Sequence, residues 1–169
     1  MIAFSVIAAA TTLQQLSTDA MIRQSTAIVR VKVTGSAPVL HGTAIYTQVQ
    51  FSVLETLKTG QNGVPSAVFV PGGALNGIRQ TVPGAPALVS GQEYVIFLWT
   101  SKSGFTQIIG LSQGLFMVMQ DSSGNAVLVR PAATVSMVNQ NGLPVSDSLV
   151  SMPLQSLESE VQSVLGAGN

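Results

Sequence analysis

The chain has no cysteine among its 169 residues. That absence excludes a thiolate zinc site, a disulfide framework and a thiol nucleophile. Charge is scarce as well: charged residues are 8 % of the chain, and seven basic residues balance seven acidic ones. Without a basic excess nothing neutralises a phosphate backbone, so no nucleic-acid partner is expected. Surface polarity falls instead to Ser, Thr, Gln and Asn, which hydrogen-bond but steer charged partners weakly. There is one histidine, His41, so imidazole chemistry is confined to one position. No apolar run reaches the roughly 20 residues that a membrane-crossing helix needs, and no transmembrane segment is expected.

What the chain does have is apolar content, 46 % of its residues, in a length that suits one domain with a real core. Residues 1–10, MIAFSVIAAA, form a short apolar run ending in Ala8-Ala9-Ala10. Two readings fit it: the remnant of a secretory signal, or a first strand or helix packed on the core. The first basic residue is Arg23, so the positive start of a signal is missing. On the signal reading the protein is secreted or periplasmic. Residues 11–169 are expected to form a single β-barrel domain with a C-terminal helix.

The organising stretch runs from Thr26 to Lys58 and predicts two long strands joined by a loop, GSAPVLHG. Ala27, Val29, Val31 and Val33 alternate with Ile28, Arg30, Lys32 and Thr34; Ile45, Thr47, Val49, Phe51 and Val53 alternate with Tyr46, Gln48, Gln50 and Ser52. Such alternation marks antiparallel strands with one buried and one wetted face. Further strands are predicted at Ser66–Pro71, Glu93–Thr100, Phe105–Leu111, Leu115–Gln120 and Ala126–Arg130, with turns at SKSG and DSSGN. EYVIFLWT, the most apolar run, reads as a central strand covered on both faces. A short helix is expected over TTLQQLSTDAMIRQ, capped by Thr11 or Thr12, and a second over Pro153–Leu165. The stretch from Pro131 to Met152 is weakly patterned and reads as a loop or extended arm. The fold class is therefore mainly β: an antiparallel, OB-like β-barrel with a short N-terminal helix and a C-terminal helix packed on it. Its core is expected to hold Val29, Val31, Val33, Val49, Phe51, Val53, Val95, Phe97 and Ile109.

No stretch carries a specific catalytic pattern. His41 falls in the predicted hairpin loop, and no nucleophile elbow of the G-x-S-x-G type is present. Glu55 and Glu93 are the carboxylates on predicted strands, and Glu55 reads as closing a strand in a salt bridge rather than as half of a glycosidase pair. Asp121-Ser122-Ser123-Gly124-Asn125 lacks the carboxylates of a calcium loop and reads as a turn. Gly72-Gly73 follows a strand without the Lys of a phosphate loop, so a bend or bulge is expected there. No metal, cofactor or catalytic residue is expected.

Features in order then matter: a helix with LQQLSTDA, strands reading AIVRVKV and IYTQVQFSVLETLKTG, a VPGG turn, GQEYVIFLW, GLSQGLF and a closing helix. The series resembles a group of uncharacterised bacterial exported proteins. More distantly it is similar to the netrin-like module of tissue inhibitors of metalloproteinases, which implies an OB-fold barrel. Those inhibitors act through an N-terminal Cys, and this chain has none, so the resemblance implies the barrel and not that mechanism.

The expected function is a non-enzymatic, exported binding or interaction module for an unknown protein or small ligand. OB-type barrels bind on one barrel face and its loops. Here that face would carry Arg30, Lys32, Tyr46, Gln48 and Gln50. The alternatives are a protease-inhibitor-like module and a hydrolase using His41.

Overall fold

The computed structural model describes residues 12–60 and 63–167. Residues 1–10, read above as a signal remnant or a first element, lie outside them. In chain order the elements are β1 (Thr12–Gln14), α1 (Thr18–Gln24), β2 (Ala27–His41), β3 (Ala44–Lys58), β4 (Ala67–Pro71), β5 (Gly73–Leu75) and β6 (Ile78–Gln80). There follow β7 (Glu93–Thr100), β8 (Thr106–Ile108), β9 (Leu115–Gln120), β10 (Ala126–Arg130), β11 (Ser136–Val138), β12 (Pro144–Val145), β13 (Val150–Pro153) and α2 (Leu154–Gly166). The mainly β, antiparallel class is as expected.

The main sheet runs β13-β10-β9-β7-β2-β3-β4, and β8 joins it on β7. β8 and β9 share one edge of β7: β8 pairs with Leu98–Thr100, and β9 with Tyr94–Ile96. Between them the chain makes a tight turn, in which Gly114 N donates to Ile109 O and Gln113 N to Gly110 O. A Cβ on Gly114 would lie 2.8 Å from the Ile109 carbonyl oxygen, so only glycine fits. The sheet curls until β4 lies against β8. No ladder joins those two strands among the described residues. A closed barrel is therefore not found, and the OB-like assignment is not shown.

Two cores sit on the two faces of the central strands. The concave face gathers Val29, Val31, Val33, Val49, Phe51, Val68, Tyr94, Ile96, Leu98 and Leu115. The convex face, under α1 and α2, gathers Ile22, Ile28, Val95, Phe97, Ile109, Phe116, Leu128, Leu157 and Val161. Cross-strand partners share a face, and the register sets Val31 beside Tyr94, Val29 beside Ile96 and Ile28 beside Phe97. Five residues are placed otherwise than expected. Val95, Phe97 and Ile109 are buried, but beneath the helices. Ile28, expected on the wetted face, is fully buried there too. Val53 is 41 % exposed, because β4 pairs with β3 only over Tyr46–Gln50 and leaves that end of β3 uncovered.

The helices also start later than expected. α1 begins at Thr18, with Ser17 as its cap: Ala20 N donates to Ser17 Oγ. Thr12–Gln14 instead pairs in parallel with β11, and buried Gln113 fastens it by accepting from Leu16 N and donating to Gln14 O. Lys58 Nζ donates to the carbonyls of Ile22, Arg23 and Ser25, closing the C-terminal end of α1. The stretch 131–152 is not a bare arm, since it supplies β11, β12 and β13, and β13 pairs with β10. Arg130 and Asp147, both largely buried, hold this stretch down through a two-point ion pair at 2.6 and 3.0 Å. No helix is long and apolar enough to cross a membrane among the described residues.

Candidate functional site

The predicted loop between the first two long strands is itself strand. β2 and β3 pair from Ile28–Lys58 to His41–Ala44, with three irregularities in register. Bulges of this kind bend a strand and raise its twist, and they let the hairpin wrap far round the molecule. His41 therefore lies at a hairpin tip and not in a loop. Gly42 takes a positive φ of 61° at the turn.

All five residues proposed from the sequence lie on the convex face, but the structure divides them. Arg30 is engaged: its Nε and Nη2 donate to Glu93 Oε2 at 3.2 and 2.8 Å. Glu55 sits opposite Arg30 in the β2–β3 register yet forms no salt bridge among the described residues, because Glu93 takes the guanidinium. Lys32 is exposed beside this pair. Tyr46, Gln48 and Gln50 continue along β3, opposite Pro71, Phe69 and Ala67 of β4.

At the tip end the face becomes aromatic. Phe105, from the turn between β7 and β8, stacks on His41 at 4.2 Å and on Phe69 at 4.6 Å. Tyr46 meets Phe105 edge-on at 5.1 Å and His41 at 6.0 Å. These rings bring together β2, β3, β4 and the start of β8, over the seam that lacks a ladder. A cleft of about 230 Å³ opens at the same seam between Phe69, Pro71, Pro86, Gln107 and Leu111. Phe69 is the one aromatic of β4 and Phe105 lies in a turn, so no periodic pattern marks either in the sequence. The only available signal was a large aromatic at an outward position, facing polar neighbours.

The polar side chains of this strip are unengaged. Lys32, Tyr46, Gln48 and Gln50 form no hydrogen bond with the described residues, whereas Gln80, Gln92 and Gln113 each bind backbone. The His41 side chain likewise has ring contacts and no hydrogen bond with the described residues. Nothing orients its imidazole as a base, so the hydrolase reading gains no support from this geometry. No group of three or more His, Asp or Glu side chains converges as a metal site among the described residues.

Neither a protein-family model nor a curated protein matches this sequence.

The concave face carries two further hollows, on either side of residues 81–92, which cross it without regular structure. One, of about 350 Å³, lies between Thr47, Val70, Gly72 and Gln80. Gly72 and Gly73 sit at positive φ, and a Cβ on either would come within 3.0 Å of Gln80 O or Thr47 Oγ1, so the bend expected at these glycines is present. The other, of about 330 Å³, lies between Ala87, Tyr94, Ser112, Leu115, Met117 and Ala132.

Proposed function

We propose that this chain is a non-enzymatic, exported binding module on an OB-like barrel, and that it holds a partner on the convex strip of the long hairpin. One observation carries the reading: Tyr46, Gln48, Gln50 and Lys32 offer unengaged hydrogen-bonding groups beside a half-exposed aromatic stack. Aromatic anchors bordered by free polar groups are what interfaces use. Arg30 borders the strip and is paired with Glu93; Lys32 is the strip's unpaired cation among the described residues, so the strip favours a polar partner surface with an acceptor or acidic group opposite Lys32. Export rests on reading the apolar run at residues 1–10 as a signal remnant, and the barrel is supported by the curl of β4 onto β8. The protease-inhibitor alternative rests on the distant resemblance alone.

The test is capture from the extracytoplasmic fraction of a bacterial host with wild-type protein and with Tyr46→Ala/Gln48→Ala/Gln50→Ala. A partner retained by the first and lost by the second supports the strip. A partner held equally by both, or none held by either, defeats it. A protease panel run alongside decides the inhibitor alternative.

A further inference from the structure

The hollow on the Tyr94 side of residues 81–92 has the makings of a second site, independent of the convex strip. Its floor is the concave sheet face, with Tyr94 on β7 and Leu115 and Met117 on β9. Its roof is the crossing segment, with Ala87 over it, and its rim includes Ser112 and Ala132. At about 330 Å³ it falls within the size range of small-molecule pockets, which are mainly apolar with a few placed polar groups.

Two features narrow the ligand. The first is charge: Arg130 is the only charged lining residue, and Asp147 binds its guanidinium at two points. A charged ligand would lose its hydration here without finding a counter-ion. The second is Tyr94, which is 3 % exposed. Its Oη accepts a hydrogen bond from Val89 N at 3.1 Å, and its own O–H proton has no acceptor among the described residues. A phenolic hydroxyl can donate as well as accept, and here only its accepting side is used by the described residues. That proton is a placed donor in an apolar hollow.

We propose that this cavity binds a small, neutral, mainly apolar molecule through a carbonyl or similar oxygen that accepts the Tyr94 hydroxyl proton. The crossing segment is the natural way in. It has no ladder partner, and residues 85–87 line hollows on both of its sides.

The neutral naphthyl ketone fluorophore 6-propionyl-2-dimethylaminonaphthalene is a suitable probe, since its emission reports both polarity and hydrogen bonding at its carbonyl. Wild-type protein should bind it saturably at one site. Tyr94→Phe keeps the ring and removes the hydroxyl, and with it the acceptor of Val89 N: affinity should fall about fivefold or more, the loss of at least one ordinary hydrogen bond, and the emission of the bound probe should move to the blue, which loss of the Val89 contact alone would not cause. Ala132→Trp, at the exposed rim, should block the site while leaving the melting temperature in place. Non-saturable uptake, or saturable binding unchanged by Ala132→Trp, would overturn the site. Binding blocked by Ala132→Trp but indifferent to Tyr94→Phe would overturn the role given to the hydroxyl.

Discussion

Arg130 and Asp147 are the clearest case of one contact holding down a long stretch of chain. The Arg130 hydrogen bond, helped by Ala133 N–H and opposed by burial, brings the Asp147 carboxyl from its ordinary 3.8 to about 2. The sign follows from linkage: a depressed carboxylate stabilises the fold in full above its unfolded value, and that stability is lost as pH falls through the folded value. The window here is from about pH 4 down to about pH 2. A shift of this size corresponds to on the order of 2 kcal/mol. Asp147→Asn should therefore lower the urea midpoint at neutral pH, and should show less acid destabilisation between pH 4 and 2 than wild type. Equal acid sensitivity in the two proteins would mean that the pair is not coupled to folding. Gly114 is critical for a different reason. In Gly114→Ala the new methyl meets the Ile109 carbonyl oxygen at 2.8 Å and Phe97 Cβ at 3.1 Å, neither of which can move freely. A loss of about 1–3 kcal/mol is expected, measured by denaturant unfolding; a neutral outcome would mean that the β8–β9 turn can shift.

At the scale of elements, α2 completes the convex core. Leu154, Leu157, Val161 and Val164 are buried against Ile28, Phe97, Phe116 and Leu128. Leu157→Ala should cost about 2–5 kcal/mol, while Leu165→Ala, at a side chain 38 % exposed, should change stability by no more than about 0.5 kcal/mol. Similar effects from the two would mean that the helix does not pack by this face. The existence of α2 is legible because Leu154, Leu157, Val161 and Val164 recur at helical spacing. β9 and β10 were legible with their ends, since DSSGN separates two apolar runs. The face of β7 was not. Its residues from Tyr94 to Leu98 are all buried, and a strand apolar on both sides carries no phase from which to assign Val95 or Phe97. Ile28 failed for a related reason: alternation identifies two faces, and says nothing of a helix from elsewhere in the chain covering one of them. The hairpin was underestimated because Gly35, Pro38 and Gly42 read as loop, whereas Pro38 lies beyond the reach of β7 on a β2 edge that needs no donor. The candidate strip was legible as a row of outward side chains, but its aromatic end depends on Phe69 and Phe105, which only the curl of the sheet brings together.

For the whole molecule, the unpaired seam is the point of least cooperativity. Gly72 N donates to Ile45 O and Phe51 N to Ser66 O, so by antiparallel alternation the amides of Ala67 and Phe69 face β8. Similarly, Ile109 N donates to Phe97 O and Ser101 N to Phe105 O, which turns the amides of Thr106 and Ile108 toward β4. Lacking ladder bonds, these four should exchange with solvent through local opening, whereas the amides bonded between β2 and β7 should require global unfolding. For a domain of ordinary stability that separation is at least about a thousandfold in rate. What holds the seam instead is the ring stack centred on Phe105, which reaches β2, β3 and β4 at once. Phe105→Ala, at a half-buried ring, should cost about 1–3 kcal/mol, and it should widen the seam before it unfolds the sheet. Hydrogen exchange followed by NMR distinguishes the two: protection should fall first in β4, β8 and the hairpin tip, with β7 and the adjoining part of β2 still protected. Uniform loss of protection across all strands would show that the stack is ordinary core packing and that the molecule opens as one unit. Measured protection at Ala67, Phe69, Thr106 and Ile108 equal to that of β7 in the unmutated protein would show a closed barrel in solution, with β4 and β8 joined by a ladder.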